Sequence, residues 1–428
     1  MEWIAFLVKP LSALLVLIIL GVSGYRILKI IGGGSASSSM AGVAGPAFLS
    51  DNAAPLGIRH PFVYIATLTL LNRAAIFFGA YLAYIGLNGQ MVGFFEASQN
   101  IWARWDTRHY LNIAENWYQA EGEDRFLIVF YPLYPLAIRL MHFIVNDYFW
   151  AAITVSLLAL VAATYFLYRL VLLEFNDTEI ARDSVKYLLI FPFSFFLSMA
   201  YTESLFILLT VLTFYFCRKD QWLLACLAGM LAAMTRNQGV LLLLPLAIEL
   251  VCQYRQRGMP AIELIKRGAC LLFVPLGLGV YLLINKWVTG EWFKFLEYQR
   301  EHWFGTFGFF AENLKNIFLN IRTYDAKLAI GTWVPELVFF FIAIYFIIVA
   351  SRKIAPSYIV YSAVYLVISY SPTWLLAGPR YIAAMFPLFI FIAIFVRGNV
   401  FRQQLVDNTF YLLLGVFIVL FFQANTIV

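Results

Sequence analysis

The sequence predicts an all-α integral membrane protein that crosses the bilayer many times. Of its 428 residues, 62% are hydrophobic and only 13% are charged, which is more apolar surface than a soluble domain of this length buries. The apolar residues form runs of the length that a membrane helix needs, and short polar links separate them. The 30 Lys and Arg residues are scattered among those links, so nucleic acid is not an expected partner.

The N-terminal part of the chain predicts a helix and a linker. The apolar run from Trp3 to Ile31 lacks an early basic region and a small-residue cleavage site, so we interpret residues 1-31 as a membrane helix and not as a removable signal peptide. The next stretch, GGGSASSSMAGVAGPAFLSDNAAP, has too few large apolar side chains to pack. We therefore predict a flexible linker over 32-60 and a transmembrane domain over 61-428.

From residue 61 onward, hydropathy predicts about 11 transmembrane helices. Their approximate ranges are 62-87, 149-173, 184-198, 203-217, 221-235, 239-254, 269-288, 332-351, 357-371, 381-397 and 408-424. Basic residues such as Arg218 and Arg352 occupy alternate links, which the positive-inside rule places in the cytoplasm. By parity, the two long loops, about 88-148 and 289-331, face outside. The same parity makes 130-144, which begins FYPLYP, a re-entrant or surface-lying helix.

Asp106 is the candidate catalytic base. It lies in RWDTRHYLNIAENWY, residues 104 to 118, at the helical spacing that puts one set of residues on a common face: Trp102, Asp106, His109, Tyr110, Ile113 and Trp117. That face carries residues typical of the membrane interface, so we expect Asp106 to point toward lipid headgroups, where a general base meets a lipid-borne substrate. The alternative is an ion pair with Arg104 or Arg108 that only holds the loop in place.

Further charged residues are predicted at the same outer face. Glu203, in SMAYTESLF, begins a helix either as a cap or as a site residue. Arg236 in MTRNQG and Arg380 in AGPRY lie at outer helix ends, where they either bind a phosphate headgroup or extend to the interface.

Arg73 lies in the middle of a predicted span and not at the outer face. We expect it to face a polar cavity, a carboxylate or a neighbouring helix.

The second long loop contains TGEWFKFLEYQREHW, which supplies Gln299 and His302. His302 is a candidate proton carrier or hydrogen-bond donor, although a single loop histidine is more often neither. His, Asp and Glu do not recur at metal-ligand spacing, and no Gly-rich phosphate loop or Ser-His-Asp pattern stands out. We therefore predict no metal and no cofactor.

Five segments of the chain, in order, resemble the GPI mannosyltransferase 2 (PIG-V) family and its bacterial relatives, which belong to the GT-C glycosyltransferases. The first is WDTRHYLNIAENWY followed by FYPLYPLAIR, which looks like the first-loop signature of the family. The others are FPFSFFLSMAYTESLF, LAAMTRNQG, TGEWFKFLEYQREHW and GPRYIAAMFPLF. Together they cover roughly residues 62 to 400, whereas residues 1 to 60 depart from the family pattern.

The resemblance implies the GT-C fold, with amphipathic helices in the first external loop, and an inverting glycosyltransferase that uses a polyprenyl-phosphate sugar as donor. It implies that Asp106 takes the proton of the acceptor hydroxyl and that Arg380 or Arg236 stabilises the departing lipid phosphate. The residues that we assign to substrate binding are His109, Glu203, Arg236, Gln299, His302, Arg380 and Tyr381.

Alternatives stay open for the substrates, the membrane and the function. Mannose is the expected sugar, with glucose, galactose or an aminosugar as alternatives, and the acceptor is a glycolipid or a cell-envelope glycan. Because the only sequon, Asn176-Asp-Thr178, falls in a predicted cytoplasmic loop, we expect a bacterial plasma membrane with the active site outside; the alternative is the endoplasmic reticulum with a lumenal site. The rival function is a transporter or flippase of lipid-linked sugars without catalysis. A transporter with inverted halves is weakened because no internal repeat is visible.

Overall fold

The computed structural model describes residues 2–32 and 60–424, so most of the linker predicted over 32-60 lies outside the described residues. Within those residues the chain forms helices and no β-strand. The helices of the first half are α1 (Glu2–Ile31), α2 (Pro61–Asn88), α3 (Phe94–Trp102), α4 (Asp106–Asn116), α5 (Leu133–Val145), α6 (Tyr148–Phe175), α7 (Thr178–Ile190) and α8 (Glu203–Arg218). Short 3₁₀ helices, Glu123–Val129 and Ser194–Ser198, lie between them.

The second half continues the helical bundle. Its helices are α9 (Trp222–Ala233), α10 (Leu243–Arg257), α11 (Ala261–Cys270), α12 (Phe273–Thr289), α13 (Lys294–Glu301), α14 (Phe310–Thr323), α15 (Ala326–Leu328), α16 (Val334–Ala350), α17 (Pro356–Ser369), α18 (Gly378–Ala383), α19 (Pro387–Val396) and α20 (Val400–Ala424). A 3₁₀ helix, Asn237–Leu242, precedes α10, and a π-helical stretch, Ala329–Trp333, joins α15 to α16.

Seven helical stretches of the described chain are long and apolar enough to cross a membrane. They are Phe6–Ile31, Pro61–Asn88, Tyr148–Phe175, Asn237–Arg257, Ala261–Thr289, Ala326–Ala350 and Val400–Gln423. The prediction of an all-α, multi-pass membrane protein is thereby supported. Helices α9, α17 and α19 are apolar but shorter, so the count of about 11 spans stays a prediction.

Two predicted spans are each broken by a proline. The span predicted over 184-198 is α7 followed by a 3₁₀ helix, and the break contains Pro192. The span predicted over 381-397 is divided between α18 and α19, and α19 starts at Pro387. Proline has no backbone N–H and its ring clashes with the preceding helical turn, so an apolar run with an internal proline is not one continuous helix.

Arg73 stabilises the first of these breaks. Its buried guanidinium donates hydrogen bonds to the backbone oxygens of Leu189 and of Ser194, the latter at 2.6 Å, and to the side chain of Asn72. The carbonyl of Leu189 lies in the last turn of α7, where a helix leaves its carbonyls without partners, and Ser194 begins the 3₁₀ helix after the break. Arg73 therefore pairs across helices with backbone oxygens, which is the structural alternative among its predicted roles.

The prediction that one helix contains both Trp102 and Asp106 is wrong. Helix α3 ends at Trp102 and α4 begins at Asp106, because Trp105 between them has a left-handed backbone with φ of 51°. A second left-handed residue, Trp117, ends α4. Non-glycine residues seldom adopt positive φ, and nothing in the local sequence indicates that a tryptophan does so here. The break makes Asp106 the first residue of a helix.

The segment predicted as a re-entrant or surface-lying helix is bent. The 3₁₀ helix Glu123–Val129 and α5 meet at 110°, and Pro132 directly precedes α5. The hydroxyl of Tyr281, in α12, donates a hydrogen bond of 2.9 Å to the backbone oxygen of Ile128 at this bend. The first long loop is thus held against a spanning helix at this bend.

The N-terminal helix α1 joins both ends of the bundle. Near its start, Lys9 forms an ion pair of 2.6 Å with Glu312 of α14. Near its end, Arg26 donates hydrogen bonds to the backbone oxygens of Ser351 and of Ile354, the latter at 3.0 Å. Contacts at the two ends of one long apolar helix show that α1 runs along the bundle and packs against it.

Candidate active site

Asp106 contacts an arginine from the far end of the sequence. Its Oδ2 lies 2.8 Å from Nη1 of Arg380, in α18, and its side chain is 18% exposed. The alternatives predicted for Asp106 were lipid headgroups and a pair with Arg104 or Arg108. The structure instead pairs it with one of the candidate phosphate-binding arginines, and leaves it partly accessible.

Glu203 lies behind this pair and is fully buried. Its Oε1 accepts a hydrogen bond of 2.8 Å from Nη1 of Arg236 and lies 3.2 Å from Nε of Arg380. Its second carboxylate oxygen has no hydrogen-bond partner. Glu203 is therefore an ion-pair partner of two arginines, which favours the site role over the cap.

Two carboxylates and two guanidinium groups thus form one cluster, which we call the acid–arginine cluster: Asp106, Glu203, Arg236 and Arg380. Their formal charges, two negative and two positive, sum to zero. Arg236 and Arg380 are 8% and 6% exposed, so neither extends into the interface as an unbound arginine does.

Aromatic rings flank both guanidinium groups. The ring of Tyr381 lies 4.8 Å from the guanidinium carbon of Arg236 and 5.4 Å from that of Arg380, and the ring of Tyr201 lies 4.9 Å from the latter. A cation over an aromatic face is stabilised when both are removed from water. The rings therefore hold the two arginines in place beside the carboxylates.

Burial would lower the pKa of Arg380, but Asp106 and Glu203 raise it, and the net pKa lies well above its ordinary value. Arg380 consequently stays positively charged inside the cluster. A buried guanidinium that is always charged, and that carries donors in a planar fork, is suited to bind a phosphate group.

The start of α18, the helix that carries Arg380, is fixed by a residue that we did not predict from the sequence. Glu336, fully buried in α16, accepts a hydrogen bond of 2.8 Å from the backbone N–H of Gly378, the first residue of α18. The hydroxyl of Tyr370 donates a hydrogen bond of 2.8 Å to the backbone oxygen of Glu336. A carboxylate inside an apolar run is a signal of function in membrane proteins, and it was available in WVPELVFF.

Gly378 is required by this packing. A methyl group added there would overlap Oε2 of Glu336 and the phenol of Tyr370. We expect Gly378→Ala to displace the start of α18 and to lower the free energy of unfolding by about 1–3 kcal/mol, as overpacking does. Thermal unfolding in detergent measures the change. Gly79→Ala is the matched control, since nothing lies within 4 Å of a methyl group there, and an equal midpoint for the two variants would contradict the expectation.

His109 follows Asp106 by one turn of α4 and contacts the second long loop. Its ring centre lies 5.2 Å from that of Phe130 and 5.1 Å from that of Trp303. Trp303 in turn lies 5.1 Å from His302, which stacks on Phe126 at 4.3 Å. The two long loops therefore meet through these five rings, which we call the aromatic group: His109, Phe126, Phe130, His302 and Trp303. The aromatic group lies beside the acid–arginine cluster.

Six of the seven predicted substrate-binding residues fall into two sets. Glu203, Arg236, Arg380 and Tyr381 lie in or against the acid–arginine cluster, whereas His109 and His302 belong to the aromatic group. Gln299 lies in α13, and its backbone oxygen accepts a hydrogen bond of 3.1 Å from the N–H of Gly305. His302 and Gln299 therefore shape the second loop, and all seven residues stay predictions as substrate-binding residues.

Burial lowers the pKa of His109, and His302 lowers it further, while Asp106 opposes the change. His109 is consequently uncharged at pH 7. A histidine whose pKa is lowered by folding contributes stability that is present above its unfolded pKa of about 6.5 and that is lost as the pH falls through the lower folded value. We expect the thermal midpoint of the wild type to fall more between pH 7.5 and 5 than that of His109→Gln. Parallel curves for the two proteins would contradict this assignment.

Among the described residues, no group of three or more His, Cys, Asp and Glu side chains is placed to hold a metal ion. A reaction without metal stays a prediction. Compared with protein-family models and with curated proteins, the sequence matches none. The family resemblance therefore rests on the five motif segments alone.

Proposed function

We propose that the protein is an inverting glycosyltransferase of the GT-C type. It transfers a sugar, mannose as the first candidate, from a polyprenyl-phosphate donor to a glycolipid or cell-envelope acceptor. The observation that carries the proposal is the acid–arginine cluster, in which a partly exposed carboxylate, Asp106, touches a buried arginine, Arg380. A base and a phosphate-binding cation side by side are the two groups that this reaction needs.

In the proposed reaction, Asp106 accepts the proton of the acceptor hydroxyl. The oxygen forms a bond to the anomeric carbon, and the bond between that carbon and the phosphate oxygen breaks. The electron pair of this bond stays with the lipid phosphate. A single displacement of this kind inverts the anomeric centre, and the charge that develops on the phosphate is stabilised by Arg380 and Arg236.

Asp106 is the better candidate for the base than Glu203. The side chain of Asp106 is 18% exposed and that of Glu203 is 1% exposed, so an acceptor hydroxyl reaches only the first without a rearrangement. Glu203 holds Arg236 through a hydrogen bond and lies against Arg380, and we assign it the positioning of the two arginines.

The ion pair between Arg380 and Asp106 implies an order of binding. The Asp106 oxygen that contacts Arg380 is occupied by this ion pair. The donor phosphate competes with Asp106 for Arg380. In this proposal the donor binds first, draws Arg380 away and leaves Asp106 ready to accept the acceptor proton.

The rival function is a transporter or flippase, and the surroundings of Arg73 favour the enzyme. A transporter places ionisable groups where they face the transported molecule near mid-membrane. The guanidinium of Arg73 is instead engaged by the backbone oxygens of Leu189 and Ser194. The charged residues that contact each other around Asp106 lie at helix starts and in loops.

The decisive experiment is sugar transfer by the purified protein in nanodiscs. Radiolabelled mannose, glucose, galactose and N-acetylglucosamine are supplied as polyprenyl-phosphate donors, with glycolipid extracts as acceptors. Transfer of one sugar to lipid supports the proposal and names the donor. Movement of the intact donor across a proteoliposome membrane, with no transfer of any sugar, would overturn it in favour of the transporter.

The proposed location is a bacterial plasma membrane with Asp106 on the outer face, and the alternative is the lumenal face of the endoplasmic reticulum. Basic residues on alternate links support this orientation. Labelling of a cysteine at position 106 with a membrane-impermeant reagent in intact cells tests it. Labelling only after the cells are opened would place the site on the cytoplasmic side.

A further inference from the structure

The segment 304–309, which we call the aromatic tip, presents large apolar rings to the surroundings. Phe304 and Phe307 are 73% and 74% exposed, and Phe309 is exposed as well. The stretch WFGTFGFF that includes the tip has no charged side chain. An exposed apolar patch of this kind marks a surface that contacts lipid or another molecule.

The exposure of the tip comes from an ordered backbone. The N–H of Gly308 donates a hydrogen bond of 2.8 Å to the backbone oxygen of Ser371, and the hydroxyls of Thr306 and Thr373 lie 3.0 Å apart. Phe304 has a left-handed backbone, with φ of 53°. Phenylalanine rarely adopts this conformation, so the surrounding hydrogen bonds impose it. The structure therefore holds the rings outward.

The tip follows, in the chain, a spanning helix whose end carries exposed aromatic side chains. Trp287, near the end of the span Ala261–Thr289, is 79% exposed, and Phe293 in the following turn is exposed too. Tryptophan and other aromatic residues at the end of a spanning helix lie at the boundary between lipid and water. The aromatic tip follows in the same connection between α12 and α14.

We propose that the aromatic tip inserts into the bilayer leaflet next to Asp106 and binds lipid there without spanning the membrane. The occupant is lipid because the tip is uncharged, it follows a spanning helix whose end carries exposed aromatic side chains, and its backbone is fixed in advance. Its pairing with Ser371 and Thr373 connects this anchor to the segment that leads to Gly378 and α18. The proposal concerns lipid contact alone and does not depend on the sugar chemistry.

Collision measurements on spin labels test the insertion. Cysteines are placed at 304 and 307 in a Cys270→Ser background, the other three thiols being buried, and the protein is reconstituted in nanodiscs. We expect oxygen, which concentrates in lipid, to collide with both labels severalfold more often than a water-soluble nickel chelate does. The control label replaces Glu301, an exposed residue at the end of α13, and should show the reverse order.

Two results would overturn the proposal. Labels at 304 and 307 that collide mainly with the nickel chelate would place the tip in water. Labels that neither reagent reaches would show that a protein surface, such as a second copy of the chain, covers it. If a cysteine variant fails to fold, hydroxyl-radical footprinting of the unaltered protein in nanodiscs replaces the spin-label measurement. Protection of Phe304 and Phe307 from oxidation supports insertion, and oxidation to the level of the denatured chain contradicts it.

Discussion

Replacement of Asp106 by asparagine is expected to lower kcat for sugar transfer by about 10²–10⁴-fold, the contribution of a general base. Asparagine keeps the shape of the side chain but cannot accept the acceptor proton. Because the change also frees Arg380 from its ion pair, KM for the donor should not rise. Initial rates at varied donor concentration, with the purified variant in nanodiscs, separate the two constants.

The matched control for this experiment is Glu115→Gln, which removes an exposed carboxylate from the same helix. We expect it to keep wild-type kcat, since its charge is in water. A folded Asp106→Asn protein that retains full activity would show that another group takes the proton. In that case His109, uncharged at pH 7 and one turn away, becomes the first residue to replace.

Replacement of Glu203 by glutamine is expected to lower the free energy of unfolding by about 3–5 kcal/mol, because it leaves buried arginines without the carboxylate that balances them. The double variant with Arg236→Gln restores the charge balance of the cluster. It should therefore be less destabilised than the sum of the two single changes. Denaturant or thermal unfolding of the four proteins gives the coupling.

An exposed ion pair provides the comparison. Lys294 and Glu297 lie 2.9 Å apart, with the carboxylate 40% exposed, and Glu297→Gln should lower the free energy of unfolding far less than Glu203→Gln does, because water screens an exposed pair. If Glu203→Gln is as mild as this control, the acid–arginine cluster does not support the fold. Additive single changes would show that Glu203 and Arg236 are not coupled.

The sequence indicated the four residues that meet in the acid–arginine cluster, but it did not predict their contacts. Asp106, Glu203, Arg236 and Arg380 were selected one by one, from their position at one face of the membrane. Which carboxylate pairs with which arginine depends on how α4, α8 and α18 meet, and no local pattern records that arrangement. The pair between Asp106 and Arg380 joins residues that are 274 positions apart in the sequence.

The helix ends show a different limit. Pro192 and Pro387 are visible in the sequence, but the residues around them are so apolar that we predicted one continuous span at each place. The left-handed backbone of Trp105 has no such signal, because bulky residues disfavour it and only the surrounding structure holds it. Glu336 was missed for a third reason: it falls inside an apolar run that was interpreted as a span and nothing more.

The zero net charge of the acid–arginine cluster has a consequence for turnover. A polyprenyl-phosphate sugar is a phosphodiester with one negative charge, so the cluster with its donor carries a charge of minus one. When the sugar leaves, the phosphate gains a second negative charge, and in the same step Asp106 becomes neutral by taking the proton. The total is unchanged, so the proposed reaction leaves the net charge of the cluster and its substrates constant and needs no counter-ion from solution. Donor binding adds one negative charge and the chemical step adds none, so the two buried arginines and the two acids are spared a further change in net charge during the transfer itself.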